Sequence, residues 1–537
     1  MRHCAIGILI MIFSLMFGRA HAGTVSDAAA RCNALRSADF SQLQDAPMQI
    51  TETKFVAPSG DTPGYCQVGG YVVPSVGFII RLPSDSWNGK FFENGCGGFC
   101  GAAEFYLPAC DHPLRKGYAC IVSDDGHKST VFDGKWAYNN LQAQIDHGYR
   151  APHVTALAGN AIVERYYEQK PKKSYFVGCS TGGRQALMEA QRFPWDFDGI
   201  VAGSPSVSVP EHHMAMLWGN RVFTDKGGKA LLGRHDLELL HKAVLAKCDL
   251  NDGVKDGLIG DPRKCDFDPA ELLCTTTKNS ECLTSTQIEA VRKIYGGPVT
   301  STGESVYLSG LSKGSELHWL DDLMGSAENP RRWYEFPAEE FRYEGFQPSP
   351  GPTWESKDFD FDRDYKRMGV TDGLYAANNP DLRRFKAAGG KLLSYGGWND
   401  VIGIPLEGVD YYDMVERTMG GRESTQEFFR LFMVPGMGHC FLGEGAFDVD
   451  WLSYLEAWVE QGRPPQKVIG SHVELEGPKP DNLEDVLKLA IRRQGGWDFP
   501  LDPTTIKFSR PIYPYPVTTK YLGHGDPVNS ANYGPVE

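Results

Sequence analysis

The amino-acid sequence predicts an α/β protein: a mostly parallel sheet, covered on both faces and interrupted by one long insertion. Three observations lead there. Short apolar runs alternate with helix-like segments from about Phe78 to Gly203, the pattern of buried parallel strands joined by helical crossovers. The alternation stops near Ser204 and resumes at Lys391. The chain has 537 residues, 41% of them hydrophobic and 23% charged, which excludes disordered, collagenous and low-complexity classes and leaves one large or two medium globular domains.

The chain opens on the apolar run Ile6–Phe17, preceded by Arg2 and followed by Ala20-His21-Ala22. A short apolar core ahead of a small-x-small site reads as a secretory signal peptide over residues 1–22, not as a membrane span. Strand-like runs follow at Gly77–Leu82, Lys90–Phe92, Tyr118–Val122, Ser174–Gly178 and Gly199–Ala202. Between the third and fourth, Pro152–Tyr167 offers Val154, Leu157, Ala161 and Val163 as the inward stripe of a helix. From Ser204 to about Asn379 the chain is rich in Asp, Gly, Pro and Trp, carries four cysteines and loses periodicity. Strand signals return at Lys391–Tyr395 and Phe428–Val434, and a helix is expected near Asp448–Glu460. The expected organisation is an α/β domain over 23–205 and 380–537, with 206–379 inserted as a lid-like second domain carrying a calcium loop argued below.

Charge and cysteines narrow the function. Lys and Arg number 54 against 68 Asp and Glu, a net charge of -14, so neither nucleic acid nor an anionic membrane is an expected partner. Of 13 cysteines, Cys4 lies in the leader, leaving an even number for an oxidising compartment. A periplasmic or secreted destination follows. A chain this large does not need disulfides to hold a core, so their positions carry information.

The sharpest motif is Gly178-Cys179-Ser180-Thr181-Gly182-Gly183-Arg184, after the strand-like Ser174–Gly178 and before the helix-like Gln185–Ala190. Gly-x-Ser-x-Gly between strand and helix is a nucleophile elbow, in which glycines permit the strained turn that lifts a serine above the sheet. A serine hydroxyl is a weak nucleophile and needs a base and an orienting carboxylate, in the chain order Ser, Asp or Glu, His. Of the later histidines, His439 directly follows a strand at a glycine-rich turn, Val434-Pro435-Gly436-Met437-Gly438-His439-Cys440. His212, His213, His235, His241, His318, His472 and His524 read as solvated or packed side chains. Asp400, in the loop after Lys391–Tyr395, is placed to hold the imidazole; Glu444 and Asp450 come after the histidine and fit less well. Cys179 precedes the serine and Cys440 follows the histidine, so a Cys179–Cys440 disulfide would tie nucleophile to base.

With these residues in place the sequence resembles the tannase and feruloyl esterase family, whose hallmark is a catalytic serine and histidine with neighbouring cysteines joined in a disulfide. Arg192-Phe193-Pro194, Asp198-Gly199-Ile200-Val201-Ala202-Gly203 and Arg510-Pro511-Ile512-Tyr513-Pro514-Tyr515-Pro516 extend the resemblance over nearly all the mature chain. The resemblance implies an α/β-hydrolase fold and hydrolysis of phenolic or aromatic acid esters: feruloyl or chlorogenate esters first, galloyl or terephthalate monoesters as alternatives. A catalytically decayed secreted binding protein is the reading from a different class, and the intact Ser180, Asp400 and His439 argue against it.

The oxyanion is expected to meet the Thr181 N–H and a second donor in Glu93-Asn94-Gly95-Cys96-Gly97-Gly98-Phe99-Cys100. The resemblance points to the Gly95 N–H, with Cys96 as the neighbouring alternative. In the insertion, Cys248-Asp249-Leu250-Asn251-Asp252-Gly253-Val254-Lys255-Asp256-Gly257-Leu258 concentrates hard oxygen donors, chemistry that suits Ca²⁺ and not zinc. The resemblance assigns a structural calcium to the side chains of Asp249, Asp252 and Asp256 and the carbonyls of Val254 and Leu258. It also implies Cys32–Cys66, Cys248–Cys265 and Cys274–Cys282, and leaves Cys96, Cys100, Cys110 and Cys120 with three possible pairings. Tyr513 stands where some relatives begin a further bridge. Trp319, Trp333, Tyr334, Phe336, Phe341, Tyr343 and Phe346 are candidates to stack an aromatic acyl group, although most are expected in the insertion's own core. A monomer or homodimer is expected, with a small ester as partner.

Overall fold

The computed structural model describes residues 25–324, 332–473 and 501–537. The signal-peptide reading of residues 1–22 and the Trp333 and Tyr334 side chains lie outside the described residues.

The centre is a nine-stranded sheet of β1 (Met48–Val56), β2 (Tyr65–Val72), β3 (Val76–Pro83), β4 (Lys90–Asn94), β5 (Ala119–Ser123), β6 (Lys173–Cys179), β7 (Gly199–Gly203), β8 (Lys391–Gly397) and β9 (Phe429–Val434). Its order is β1-β2-β3-β5-β4-β6-β7-β8-β9. From β5 to β9 every pairing is parallel, and β1, β2, β3 and β5 pair antiparallel. Strands β5, β7 and β9 are buried along their whole length, which is why they read as continuous apolar runs. Strands β1 and β2 have no such run. Met48–Val56 alternates buried with exposed positions, the mark of an antiparallel strand with one wet face.

Successive side chains of the central strands enter opposite cores. Phe91 and Phe176 join one core with the helices Ala151–Tyr167, Thr181–Arg192 and Pro405–Thr418. Phe92, Tyr175 and Val177 join the other with the helix Trp451–Gln461. The sheet is therefore covered on both faces, as predicted. The helix expected from Asp448 begins at Trp451, because the Asp450 side chain caps it by accepting the Ser453 N–H at 3.1 Å.

Between β7 and β8 the chain builds the helices Val209–Val222, Arg234–Cys248, Ser285–Gly296, Arg332–Tyr343 and Gly369–Tyr375. This segment builds two apolar clusters, one around Leu240, Val291 and Trp319 that also takes in Phe99, Val401 and Ile402, and one of its own around Met214, Phe341 and Phe346. Trp319, Phe336, Phe341, Tyr343 and Phe346 are all buried. Phe341 and Phe346 pack against each other and against Phe359, and Phe336 packs against Phe99. The antiparallel pairs β10 (Val468–Val473) with β11 (Ile506–Ile512) and β12 (Thr518–Tyr521) with β13 (Tyr533–Val536) complete the described chain. Among the described residues no helix is long and apolar enough to cross a membrane.

Among the described residues six disulfides are present. Cys32–Cys66, Cys248–Cys265, Cys274–Cys282 and Cys179–Cys440 pair as the sequence reading expects. The four remaining cysteines pair as Cys96–Cys100 and Cys110–Cys120.

Candidate active site

Ser180 sits between β6 and the helix Thr181–Arg192, at φ 63° and ψ -122°. A non-glycine residue at positive φ is strained, and the surroundings fix it: the Ser180 N–H donates to the Gly203 carbonyl at 3.0 Å. The glycines of the elbow answer to space. A Cβ on Gly178 would strike the Gly182 carbonyl, which turns back over it as the helix begins. The strain thus presents the serine at the carboxyl end of the parallel strands, where open α/β sheets carry their sites.

The candidate acid and base stand in the loops after β8 and β9. Asp400, 2% exposed, accepts the His439 Nδ1–H at Oδ2 over 2.8 Å. Its Oδ1 accepts the N–H groups of Ile402 at 2.9 Å and Gly403 at 2.6 Å. Burial alone would raise its pKa, but the His439 imidazole and these two donors outweigh that and hold the carboxyl below its usual range. Ionised Asp400 fixes the imidazole with Nε2 directed away from it. Cys179 and Cys440 are bonded across 261 positions with their Cα atoms 5.9 Å apart. The neighbours of Ser180 and His439 are thereby joined directly.

The oxyanion reading needs one correction. The Gly95 N–H donates to the Val177 carbonyl at 2.9 Å, continuing the β4–β6 ladder, so it is spent within the sheet. The Cys96 N–H is engaged as well, by Gln185 Oε1 at 3.1 Å. Among the described residues the N–H groups of Gly97, Gly98 and Thr181 make no hydrogen bond. The Thr181 hydroxyl donates to the Gly98 carbonyl at 2.7 Å, bringing Gly98 against the first residue of the helix.

The acidic loop lies within the insertion, bracketed by Cys248–Cys265. Asp249 accepts the N–H groups of Asp256 and Gly257. Asp252 accepts that of Val254, and Asp256 that of Leu258. Arg510 on β11 reaches Asp256 at 2.7 Å. Burial and the neighbouring Asp256 carboxylate push Asp252 up to about 7. A carboxylate crowding that, with burial, raises both Asp249 and Asp252 fits a hard dication.

The residues that brace this site from afar carry no spacing signal in the sequence. His318 and Glu444, 126 positions apart, meet at 3.2 Å, and Asn399 beside Asp400 bonds both Glu444 and the Gly314 carbonyl. The insertion thus touches the loops of acid and base. The buried Asp125 and Gln185 carry no motif, and only the elbow register four residues after Thr181 marks Gln185.

Comparison with known proteins places the chain in a family. A family model described as tannase and feruloyl esterase matches residues 61–536. The chain belongs to that family. It is 31% identical over 544 residues to a mono(2-hydroxyethyl) terephthalate hydrolase of Piscinibacter sakaiensis, covering 89% of this chain and 85% of that protein. It is 31% identical over 458 residues to a probable feruloyl esterase B-2 of Aspergillus flavus, covering 80% and 82%. The crystal structure of feruloyl esterase B from Aspergillus oryzae superposes with a TM-score of 0.79 at 24% identity, covering 95% of this chain and all of that one. This member of the tannase and feruloyl esterase family has the α/β-hydrolase fold.

Proposed function

We propose that the protein is a serine carboxylic-ester hydrolase acting on esters of phenolic or aromatic acids. The observation that carries the reading is Ser180 at its strained turn, with its neighbour Cys179 bonded to Cys440 beside the Asp400-bound His439. Ser180 Oγ attacks the ester carbonyl while His439 Nε2 takes its proton; His439 then gives the proton to the leaving alcohol. Asp400 holds the tautomer and stabilises the imidazolium. Water, deprotonated by His439, releases the acid from Ser180. The oxyanion is received by the N–H groups of Thr181 and Gly98, two donors that this fold leaves unspent and holds against each other through the Thr181 hydroxyl.

Family membership supports a feruloyl or chlorogenate type of substrate, with galloyl esters next. The 31% identity to a terephthalate monoester hydrolase over 89% of this chain favours one specific alternative, a terephthalate monoester. Initial rates on methyl ferulate, chlorogenate, methyl gallate and mono(2-hydroxyethyl) terephthalate rank these. Ser180→Ala is expected to lose about 10⁶-fold in kcat with an unchanged circular dichroism spectrum; full turnover by that variant would refute the mechanism.

Asp249, Asp252 and Asp256, with the carbonyls of Val254 and Leu258, would hold Ca²⁺ as a brace for the insertion. Its charge would stabilise the ionised form of the crowded carboxylates and so add to folding stability. Metal analysis of protein refolded in calcium is expected to give one equivalent, and chelation to lower the melting temperature. Residues 23–205 and 380–537 form the catalytic unit in this reading and 206–379 the lid. The apolar Ile6–Phe17 directs export.

A further inference from the structure

Behind the oxyanion loop runs a buried chain of hydrogen bonds. Gln185, 2% exposed, takes the Cys96 N–H on Oε1 at 3.1 Å and donates from Nε2 to Asp125 Oδ1 at 2.8 Å. Asp125 is fully buried at φ 64°, and its Oδ2 accepts from His147 Nδ1 at 2.7 Å. Arg184, fully buried, lies 3.4 Å from His147 Nε2 and donates to the carbonyls of His147 and Gly148 at 2.8 and 2.6 Å.

Chemistry dictates the direction of every link. A guanidinium has no acceptor, so His147 Nε2 presents its lone pair to Arg184 and Nδ1 carries the proton toward Asp125. Burial and Arg184 hold His147 well below its usual range and keep it neutral. At the other end the Cys96 N–H is also a donor alone, so Gln185 must turn Oε1 to it and Nε2 to Asp125. The middle of the chain accepts twice: burial pushes Asp125 up to about 7 against the pull of Arg184, His127 and Gln185, and its ionised form is the one that takes both bonds. A chain whose two ends can only donate and whose centre can only accept has one arrangement, and that arrangement ends on the loop carrying Gly98.

We propose that Asp125 and Gln185 are positioning residues for ester hydrolysis: Asp125 orients the Gln185 amide, Gln185 fixes the Cys96 peptide, and the short Cys96–Cys100 bridge passes that constraint to the Gly98 N–H. Neither touches the substrate. The proposal rests on the acyl-transfer reading above and adds to it the residues that preorganise its oxyanion donors.

The test is a four-protein cycle of wild type, D125N, Q185E and D125N/Q185E. In D125N the new amide N–H confronts either His147 Nδ1–H or Gln185 Nε2–H. In Q185E a second carboxylate oxygen confronts Asp125. In the double variant the new carboxylate accepts from the Cys96 N–H and from the new amide, whose oxygen accepts from His147, so every link is remade with the charge moved one residue along. On the fastest ester of the panel each single change is expected to lower kcat about 10- to 100-fold with KM little altered, and the double variant to recover most of the loss. Binding of a boronic acid mimic of the tetrahedral adduct should weaken with kcat/KM in the single variants and recover in the double. Unchanged kcat in the singles, a folded double variant no better than the worse single, or kcat that merely follows melting temperature across the four proteins overturns the proposal. If a single variant does not fold, the folded double against wild type decides by the same measures. Failure of the underlying reading shows separately, as wild-type protein without esterase activity or with activity surviving Ser180→Ala.

Discussion

The two sides of this site are held by opposite means. The base side has few restraints of long reach: His439 is fixed by one carboxylate at 2.8 Å and by a disulfide to the elbow across 261 positions. The oxyanion side is bound locally and densely. Within six residues its loop is closed by Cys96–Cys100, takes the Tyr106 hydroxyl on Gly97 and the Thr181 hydroxyl on Gly98, and meets Val131 and His127 at Phe99. The difference suits the chemistry each would perform in the proposed mechanism. A base must exchange a proton with two partners in turn, so it needs a fixed tautomer and a correct neighbour. Donors to a developing charge must already point at it, because any reorganisation during the reaction is added to the barrier.

The largest effect should come from the sparse side, where one bond does a whole task. In Asp400→Asn the side-chain amide offers a donor as readily as an acceptor, favours the wrong imidazole tautomer and leaves no charge opposite the imidazolium. A fall of about 10⁴ in kcat is expected with little change in KM, measured at saturating ester. A fall under tenfold would show that the disulfide, not the carboxylate, sets the histidine.

The disulfide is the second test. Cys179→Ala with Cys440→Ala frees nucleophile and base from each other while leaving both in place. A kcat loss of about a hundredfold is expected at temperatures where the variant remains folded by circular dichroism. The stability loss should be smaller in consequence, since the chain has two sheet-backed cores besides this link. Unchanged kinetics would leave the bridge as a staple and remove the long-range tether from the comparison.

The same contrast decides what the sequence could show. Ser180, His439 and Asp400 stand at strand ends in a fixed chain order, and their cysteines are immediate neighbours, so residue type and position along the chain were enough to name them as candidates. The central strands were legible because burial on both faces makes them uniformly apolar. Strands β1 and β2 were not, because one face is wet and the alternation of Met48–Val56 is broken by a register shift at Ile50 and Glu52. The oxyanion loop failed for a different reason. Which N–H in a glycine-rich turn is free depends on the neighbour that takes the others, and the Val177 carbonyl that consumes the Gly95 N–H belongs to a strand 82 positions on. Asp125 and Gln185 are 60 positions apart in sequence and 2.8 Å apart in space, with no motif linking them. The Asp–His geometry is local to two adjacent strands, while the polar network around the loop exists through tertiary contact alone.

The smallest effect is expected from one strand of the dense side. Thr181→Val keeps the β-branched shape and the backbone N–H at the start of the helix and removes the hydroxyl that donates to the Gly98 carbonyl at 2.7 Å. One neutral hydrogen bond contributes about 1 kcal/mol net, so kcat should fall about fivefold at constant KM, and Thr181→Ser should retain the wild-type value. The loop keeps its disulfide and its bonds to Tyr106, His127, Val131 and Gln185 in that variant, which is why the loss stays small. A thousandfold loss would mean that Gly98 hangs on this single contact, making the oxyanion side as sparsely held as the base side. No loss at all would assign its alignment to the backbone and to Gln185, and would sharpen the expectation for D125N and Q185E.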